Sequence, residues 1–158
     1  GIACWLEMIR ALSESSPSRD VRFLASTGHE LSHLGLKHFL KTHENLVQEA
    51  HAWIHLGANF AASPSAVRLQ VSDDNLDKIA SSAMEDENVS PASRTPIGTR
   101  PGGEARSIFD GNGRYISLLG SSTRFHHPDD RWPVAVDVDK TSRLVTAFIR
   151  ILRKLSEK

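Results

Sequence analysis

The stretch from Val21 to Leu36 reads VRFLASTGHELSHLGL, and it decides the class of fold that the sequence predicts. Its first six residues are mostly apolar and include β-branched and aromatic members, which is typical of a short buried strand. Thr27-Gly28 interrupts this run, and apolar residues then recur at helical spacing over residues 29–41. A strand, a tight break and a helix in succession indicate an α/β fold.

The rest of the chain continues this alternation. Apolar residues at its start fall on one helical face, whereas Val67, Leu69 and Val71 alternate with polar residues as in a half-exposed strand. We expect helices over 2–12, 73–86 and 139–158, strands over 51–56, 67–71 and 115–119, and irregular connections over 87–106 and 120–136. The predicted fold class is α/β, with a mixed, mostly buried sheet flanked by helices on both faces.

The composition sets limits on partners. The chain has 158 residues, which suits one domain, and its 19 acidic residues balance its 19 basic residues. A zero net charge argues against a nucleic-acid partner, and the apolar runs are too short to predict a membrane span. Because the chain opens at Gly1 directly on an apolar helical face, we expect a further segment or another chain to precede it.

The sequence from His29 to His33, HELSH, matches the pattern HExxH. On a helix, residues four apart share a face, so the two imidazoles could hold one zinc ion while Glu30 polarises water. His38 lies five residues after His33, whereas the longer metzincin pattern requires six, and we therefore reject that pattern. A plain HExxH zincin remains an alternative.

Three segments in order resemble the zinc aminopeptidases of peptidase family M28. They are Val21–Leu36, AWIHLGAN over 52–59, and RFHHPDD over 124–130. In that family a strand ends in two glutamates, the next strand ends in a metal-binding aspartate, and a closing turn carries a metal-binding histidine. The resemblance implies a zinc-exopeptidase-like fold. It also implies that residues 1–158 form a single aminopeptidase-like domain lacking its N-terminal segment.

The same resemblance implies roles for individual residues. Glu30 matches the second glutamate and His126 matches the histidine of the closing turn, which implies that both bind zinc. His29 replaces the first glutamate, the general base of the family, and is predicted to act as a base or as a ligand. Gly57 replaces the metal-binding aspartate, and Gly103-Glu104 stands near a Gly-Ser-Asp segment of the family.

His55 is a candidate for replacing that missing aspartate. It precedes Gly57 by two residues on a predicted strand, so both face the same side. We therefore predict that His55 projects towards the site as a further metal ligand. A His55 turned into the core would argue against this prediction.

Two functions from different classes follow. The first is a metallopeptidase of the aminopeptidase type that hydrolyses peptide N-termini with one or two bound zinc ions, if the full domain is active. The second is a catalytically degenerate relative that uses the fold for binding or assembly. Because the remaining ligands of the family would lie before Gly1, we expect the chain by itself to be inactive.

Overall fold

The structure, a computed structural model, describes residues 1–157. The helices are α1 (Ile2–Ser13), α2 (Leu34–Thr42), α3 (Leu46–Glu49), α4 (Asp74–Asp86), α5 (Ala105–Asp110) and α6 (Val138–Ser156). The strands are β1 (Trp53–Leu56), β2 (Ala66–Val71), β3 (Ser93–Arg94) and β4 (Tyr115–Ser121).

The four strands form one mixed sheet in the order β1-β4-β2-β3. β1 pairs with β4 in parallel, β4 pairs with β2 antiparallel, and β2 pairs with β3 in parallel. The predicted α/β class with a mixed sheet is confirmed. The parallel pairing places the carboxyl ends of β1 and β4 at one edge of the sheet, where open α/β sheets place their ligands.

One side of the sheet, which we call the apolar face, consists of Val67, Leu69 and Val71 of β2 with Ile116 and Leu118 of β4. The antiparallel register sets Leu69 opposite Leu118 and Val71 opposite Ile116, so these side chains project to the same side. All five are buried in one cluster with the inner residues of α1, α4 and α6. Removal of this apolar surface from water is the main favourable contribution to folding.

The other side of the sheet, which we call the polar face, carries His55 of β1, Ser117 of β4 and Gln70 of β2. A smaller core lies on this side, at the start of β4. Buried Tyr115 packs there with residues of α5 and with Val47 of α3. Helices therefore cover both faces, as predicted, but the polar face is covered only in part.

The longest helix, α6, buries one apolar face and starts at a capped end. The carboxylate of Asp137 accepts a hydrogen bond from the backbone N–H of Lys140 (2.9 Å). The predicted helix over 139–158 is confirmed as far as Ser156, and its last residue lies outside the described part of the chain. Across residues 1–157, no helix combines the length and apolar character that a membrane span requires.

Two sequence predictions near the start were wrong. Residues 21–26 do not form a strand within the described chain, and α2 begins at Leu34 rather than at His29. The apolar character of residues 21–26 is used differently, because Val21 and Phe23 pack against the main core by their side chains. Apolar composition therefore indicated contact with the core but not backbone pairing, and Val21 and Phe23 are half-buried rather than buried.

Candidate functional site

Three polar side chains lie side by side across the polar face. In the register, Ser117 is opposite both His55 and Gln70. Gln70 Nε2 donates a hydrogen bond to Ser117 Oγ (2.9 Å), and that oxygen lies 2.8 Å from His55 Nδ1. Ser117 and Gln70 are fully buried, so these bonds satisfy polar groups that have no access to water. These hydrogen bonds therefore fix the orientation of the His55 ring.

Gln70 also holds the loop that precedes α5. The backbone N–H of Gly102 donates to Gln70 Oε1 (2.8 Å). Gly103 follows with a φ of 65°, and a Cβ at that position would lie 2.8 Å from His55 Cε1. Only glycine accommodates both this backbone conformation and the close approach to the ring. The loop thereby brings the carboxylate of Glu104 against His55.

Glu104 joins two histidines from distant parts of the chain. Its Oε2 lies 3.2 Å from His55 Nε2, and its Oε1 lies 2.7 Å from His29 Nδ1. The hydrogen bond from His55, assisted by that from His29, holds the pKa of Glu104 well below its usual range, although partial burial acts in the opposite direction. Glu104 is therefore an ionised carboxylate at neutral pH.

These contacts define one consistent arrangement of protons. Because Gln70 donates to Ser117, the serine hydroxyl is free to donate to His55 Nδ1. His55 Nε2–H then donates to one oxygen of Glu104, and His29 Nδ1–H donates to the other. Both nitrogens of His55 are used, whereas Nε2 of His29 takes no part in this network. The bond to Glu104 raises the pKa of His29 above its ordinary value.

A turn over residues 27–35 carries His29 and His33. Its backbone is closed by a hydrogen bond from His33 N to His29 O (3.1 Å), and the two rings lie 5.0 Å apart. Ser32 and His33 both have left-handed conformations, with φ of 59° and 62°. His29, His33 and Glu104 each offer a ligand atom, and these atoms lie within 4.8 Å of one another.

The turn also excludes the helical arrangement that the HExxH pattern predicts. A zincin presents both histidines from one helix, but residues 29–33 form a turn and α2 starts only at Leu34. The helical presentation is therefore wrong for this chain. Glu30, which would polarise water in a zincin, lies beside His126 instead.

Glu30 and His126 form a second group at the surface. Glu30 Oε1 lies 3.6 Å from His126 Nε2, and the side chains are 72% and 62% exposed. Two ligands about 2.1 Å from a tetrahedral zinc ion lie about 3.4 Å apart. The separation of these two atoms thus fits two ligands of one zinc ion, and their exposure leaves the pair open to a substrate.

Comparison with known protein families identifies the family of this chain. The family described as peptidase family M28 matches residues 1–149. The chain belongs to peptidase family M28. The searches of curated proteins and of solved structures each gave no match. Membership in family M28 makes the chain a relative of metallopeptidases, in agreement with the resemblance found in the sequence.

Within this M28 domain, a side chain at residue 57 would meet the side chain of Leu119. A Cβ at Gly57 would lie 2.0 Å from Leu119 Cδ2 and 3.1 Å from His55 Cε1. A contact of 2.0 Å is far inside van der Waals distance, so no side chain fits at residue 57 while Leu119 keeps its position. The sequence resemblance predicts a metal-binding aspartate of the family at this position, and in this chain the terminal methyl group of Leu119 lies in the space that a side chain would enter.

The structure groups the predicted site residues differently from the sequence. Glu30 and His126 come together, as the family pattern implies. His29 and His55 instead meet at Glu104, a residue that the sequence placed only near a family segment. His55 does project to the polar face rather than into the main core, but both of its nitrogens are hydrogen-bonded.

The sequence did not indicate the roles of Ser117 and Gln70. Both lie on strands that the sequence predicted, over 67–71 and 115–119, so their common face could have been found once the strand order was known. The order itself could not, because β4 inserts between β1 and β2 although it follows both in the chain.

Proposed function

We propose that this chain supplies zinc ligands and a general base to a metallopeptidase of the aminopeptidase type, which hydrolyses peptides at their N-termini. The observation that carries the proposal is that one turn brings His29 to Glu104 and Glu30 to His126. His29 and Glu30 are neighbours in sequence, and their side chains reach the two groups separately. Family membership supports the peptidase class.

Glu30 and His126 are the residues that would hold zinc. Their carboxylate and imidazole are donor types that zinc prefers, and the spacing of their ligand atoms fits one ion. When bound, zinc supplies Lewis-acid polarisation of the peptide carbonyl and of water. Both side chains are exposed, which a substrate-binding position requires.

His29 is the proposed general base. Its Nδ1–H is held by Glu104, so Nε2 is the nitrogen that takes a proton from the attacking water and later returns it to the leaving amine. The carboxylate of Glu104 fixes the tautomer and stabilises the imidazolium that forms, as in other carboxylate-histidine pairs. In this scheme His55 is a positioning residue that holds Glu104, rather than a zinc ligand.

Peptide hydrolysis by the full-length protein tests this proposal. We expect release of the N-terminal residue from free peptides but not from N-acetylated peptides. His29→Gln should lower kcat by about 10²- to 10⁴-fold, the usual contribution of a general base. His127→Asn is the matched control, because His127 adjoins His126 and asparagine keeps an acceptor for the backbone N–H of Asp129.

A shift in the pH dependence of kcat/KM distinguishes a general-base role of His29 from a purely structural role. Because Glu104 raises the pKa of His29, neutralising the carboxylate by Glu104→Gln should move the acidic limb of kcat/KM to lower pH. An unchanged limb, or normal turnover by His29→Gln, would exclude His29 as the base.

A catalytically degenerate binding domain is the second candidate. The observation that favours it is the filled position at Gly57, where Leu119 excludes the aspartate that the family uses. In that case the full-length protein would bind peptides with a free N-terminus without releasing amino acids. Peptide binding by calorimetry, together with no turnover at any point of a zinc titration that starts from the metal-free protein, would establish this function in place of the first.

A further inference from the structure

We propose that His29, His33 and Glu104 form a binding site for a divalent transition-metal cation of the zinc type, separate from the Glu30–His126 pair. The three ligand atoms lie within 4.8 Å of one another. His33 matches none of the ligands that the family resemblance implies, so the family pattern does not account for this cluster.

The donor set selects the class of cation. Imidazole nitrogen suits zinc, copper and nickel, whereas magnesium and calcium prefer shells of oxygen ligands. Two histidines and one glutamate are a set that zinc uses where a fourth position is left open. His29 is exposed and the other two are half-buried, so a cation can reach the cluster from solvent.

The turn holds the backbone of His29 and His33 in place before any cation binds. Besides the bond between His33 and His29, Leu34 N donates to Gly28 O (3.1 Å). Left-handed conformations at two successive non-glycine residues, Ser32 and His33, cost free energy and persist only where surrounding contacts impose them. A binding site assembled in advance loses less entropy when the ligand arrives.

The polar face supports the third donor. Glu104 is held through His55, which is held through Ser117, so the carboxylate has an ordered layer of hydrogen bonds behind it. Such outer partners orient metal ligands, and their loss typically weakens metal binding by about 10- to 100-fold.

Binding through His29 Nδ1 requires one contact to open. His29 Nδ1 and Glu104 Oε1 are 2.7 Å apart, because they share a hydrogen bond. If both atoms bind one tetrahedral ion, they must separate to about 3.4 Å. In that case the cation replaces the proton of Nδ1, which leaves to solvent, whereas binding through Nε2 leaves this hydrogen bond in place.

Occupation of this site has a consequence for catalysis. A cation on Nδ1 of His29 replaces its hydrogen bond to Glu104, and a cation on Nε2 occupies the nitrogen that is proposed to take the proton, so either competes with the use of His29 as a base. Only this consequence rests on the proposed function, whereas the site itself stands on the geometry of the three side chains.

Zinc titration of the metal-stripped, full-length protein tests the site. We would measure stoichiometry and affinity by calorimetry for wild type, His33→Asn and a matched control, His38→Ala. Asparagine tolerates the left-handed backbone of residue 33 but lacks the imidazole, and His38 is an exposed histidine of α2. We expect His33→Asn to weaken one zinc equivalent by about 100-fold or more, beyond the effect of losing an outer partner. His38→Ala should change it less than about twofold.

Zinc binding by His126→Ala shows whether this cation site and the Glu30–His126 site are distinct. Loss of different zinc equivalents in His126→Ala and His33→Asn supports two sites. Zinc binding unaltered by His33→Asn, or weakened as much by His38→Ala, would overturn the cation site and leave the Glu30–His126 site standing. Loss of the same single equivalent in both variants would overturn the claim that the sites are separate. X-ray absorption of the His126→Ala protein should show zinc bound by two imidazoles, and a shell without imidazole would contradict the proposal.

Discussion

The two faces of the sheet are held by different forces. The apolar face is covered by α1, α4 and α6, and its stability comes from close packing of side chains that have no water contact. The polar face is held by a chain of hydrogen bonds from Gln70 through Ser117 and His55 to Glu104. Packing tolerates many combinations of apolar residues, whereas a buried polar network requires each partner. The polar face is therefore the more sensitive of the two to single polar substitutions, and it supports Glu104 of the proposed site.

Leu118 and Leu119 test this contrast with the largest expected effect, because they are neighbours on opposite faces. Leu118 is 0% exposed in the main core, and Leu118→Ala should lower the free energy of unfolding by about 2–5 kcal/mol. Leu119 is only half-buried, so Leu119→Ala should cost clearly less. Urea denaturation of both variants measures the difference. Equal losses would contradict the assignment of the main core to one face.

Gly57→Asp should have the next largest effect, because its Cβ would collide with Leu119. Overpacking of this kind costs about 1–3 kcal/mol. In the double variant with Leu119→Ala, the aspartate gains room, so the two changes should couple and the double variant should be more stable than the sum predicts. Additive losses in the double-mutant cycle would show that Leu119 does not close this position.

Ser117→Ala should interrupt the chain of hydrogen bonds on the polar face without creating a large cavity. It leaves Gln70 Nε2 and His55 Nδ1 without their shared partner, and an unsatisfied buried group costs about 1–3 kcal/mol. We also expect weaker zinc binding at His29, His33 and Glu104, because His55 is no longer fixed. Ser117→Thr, which keeps the hydroxyl, is the comparison variant. A zinc affinity equal to wild type in Ser117→Ala would show that the hydrogen bonds of Ser117 do not support the cation site.

Asp73→Ala should have the smallest effect on stability. Asp73 precedes α4, one of the helices that cover the apolar face. Its carboxylate caps α4 by accepting from Leu76 N (2.9 Å), so Asp73→Ala should cost about 1 kcal/mol. Partial burial acts to raise the pKa of Asp73, but bonds from Arg114, Leu76 and Ser72 outweigh it and lower the pKa. The stabilisation is therefore present above the unfolded pKa and is lost as pH falls through the lower folded pKa. The difference between wild type and Asp73→Ala should shrink in acid, and a constant difference would be inconsistent with the cap.

The two faces also differ in how far the sequence predicts them. Alternation in Val67, Leu69 and Val71 and the helical spacing of α4 and α6 predicted these elements, which are confirmed. The expected half-exposed character of the strand was wrong at Gln70, which is fully buried. The polar face depends on contacts between residues far apart in sequence, such as His29 with Glu104. Local patterns carry no information about such contacts, and the HExxH pattern even suggested a helix where a turn forms. Family resemblance, which includes the order of distant segments, correctly named the family.

Zinc removal tests most directly whether the chain provides zinc ligands for peptide hydrolysis. We would measure release of the N-terminal residue from one peptide by the full-length protein as purified, after chelation, and after return of one zinc equivalent. The protein would carry His33→Asn, which removes the competing cation site, and would be compared with the same protein carrying His126→Ala as well. We predict that chelation abolishes release, that zinc restores it, and that the protein with His126→Ala recovers little at the same zinc concentration. Release that survives chelation, or equal recovery with His126→Ala, would show that His126 does not hold the zinc used in hydrolysis.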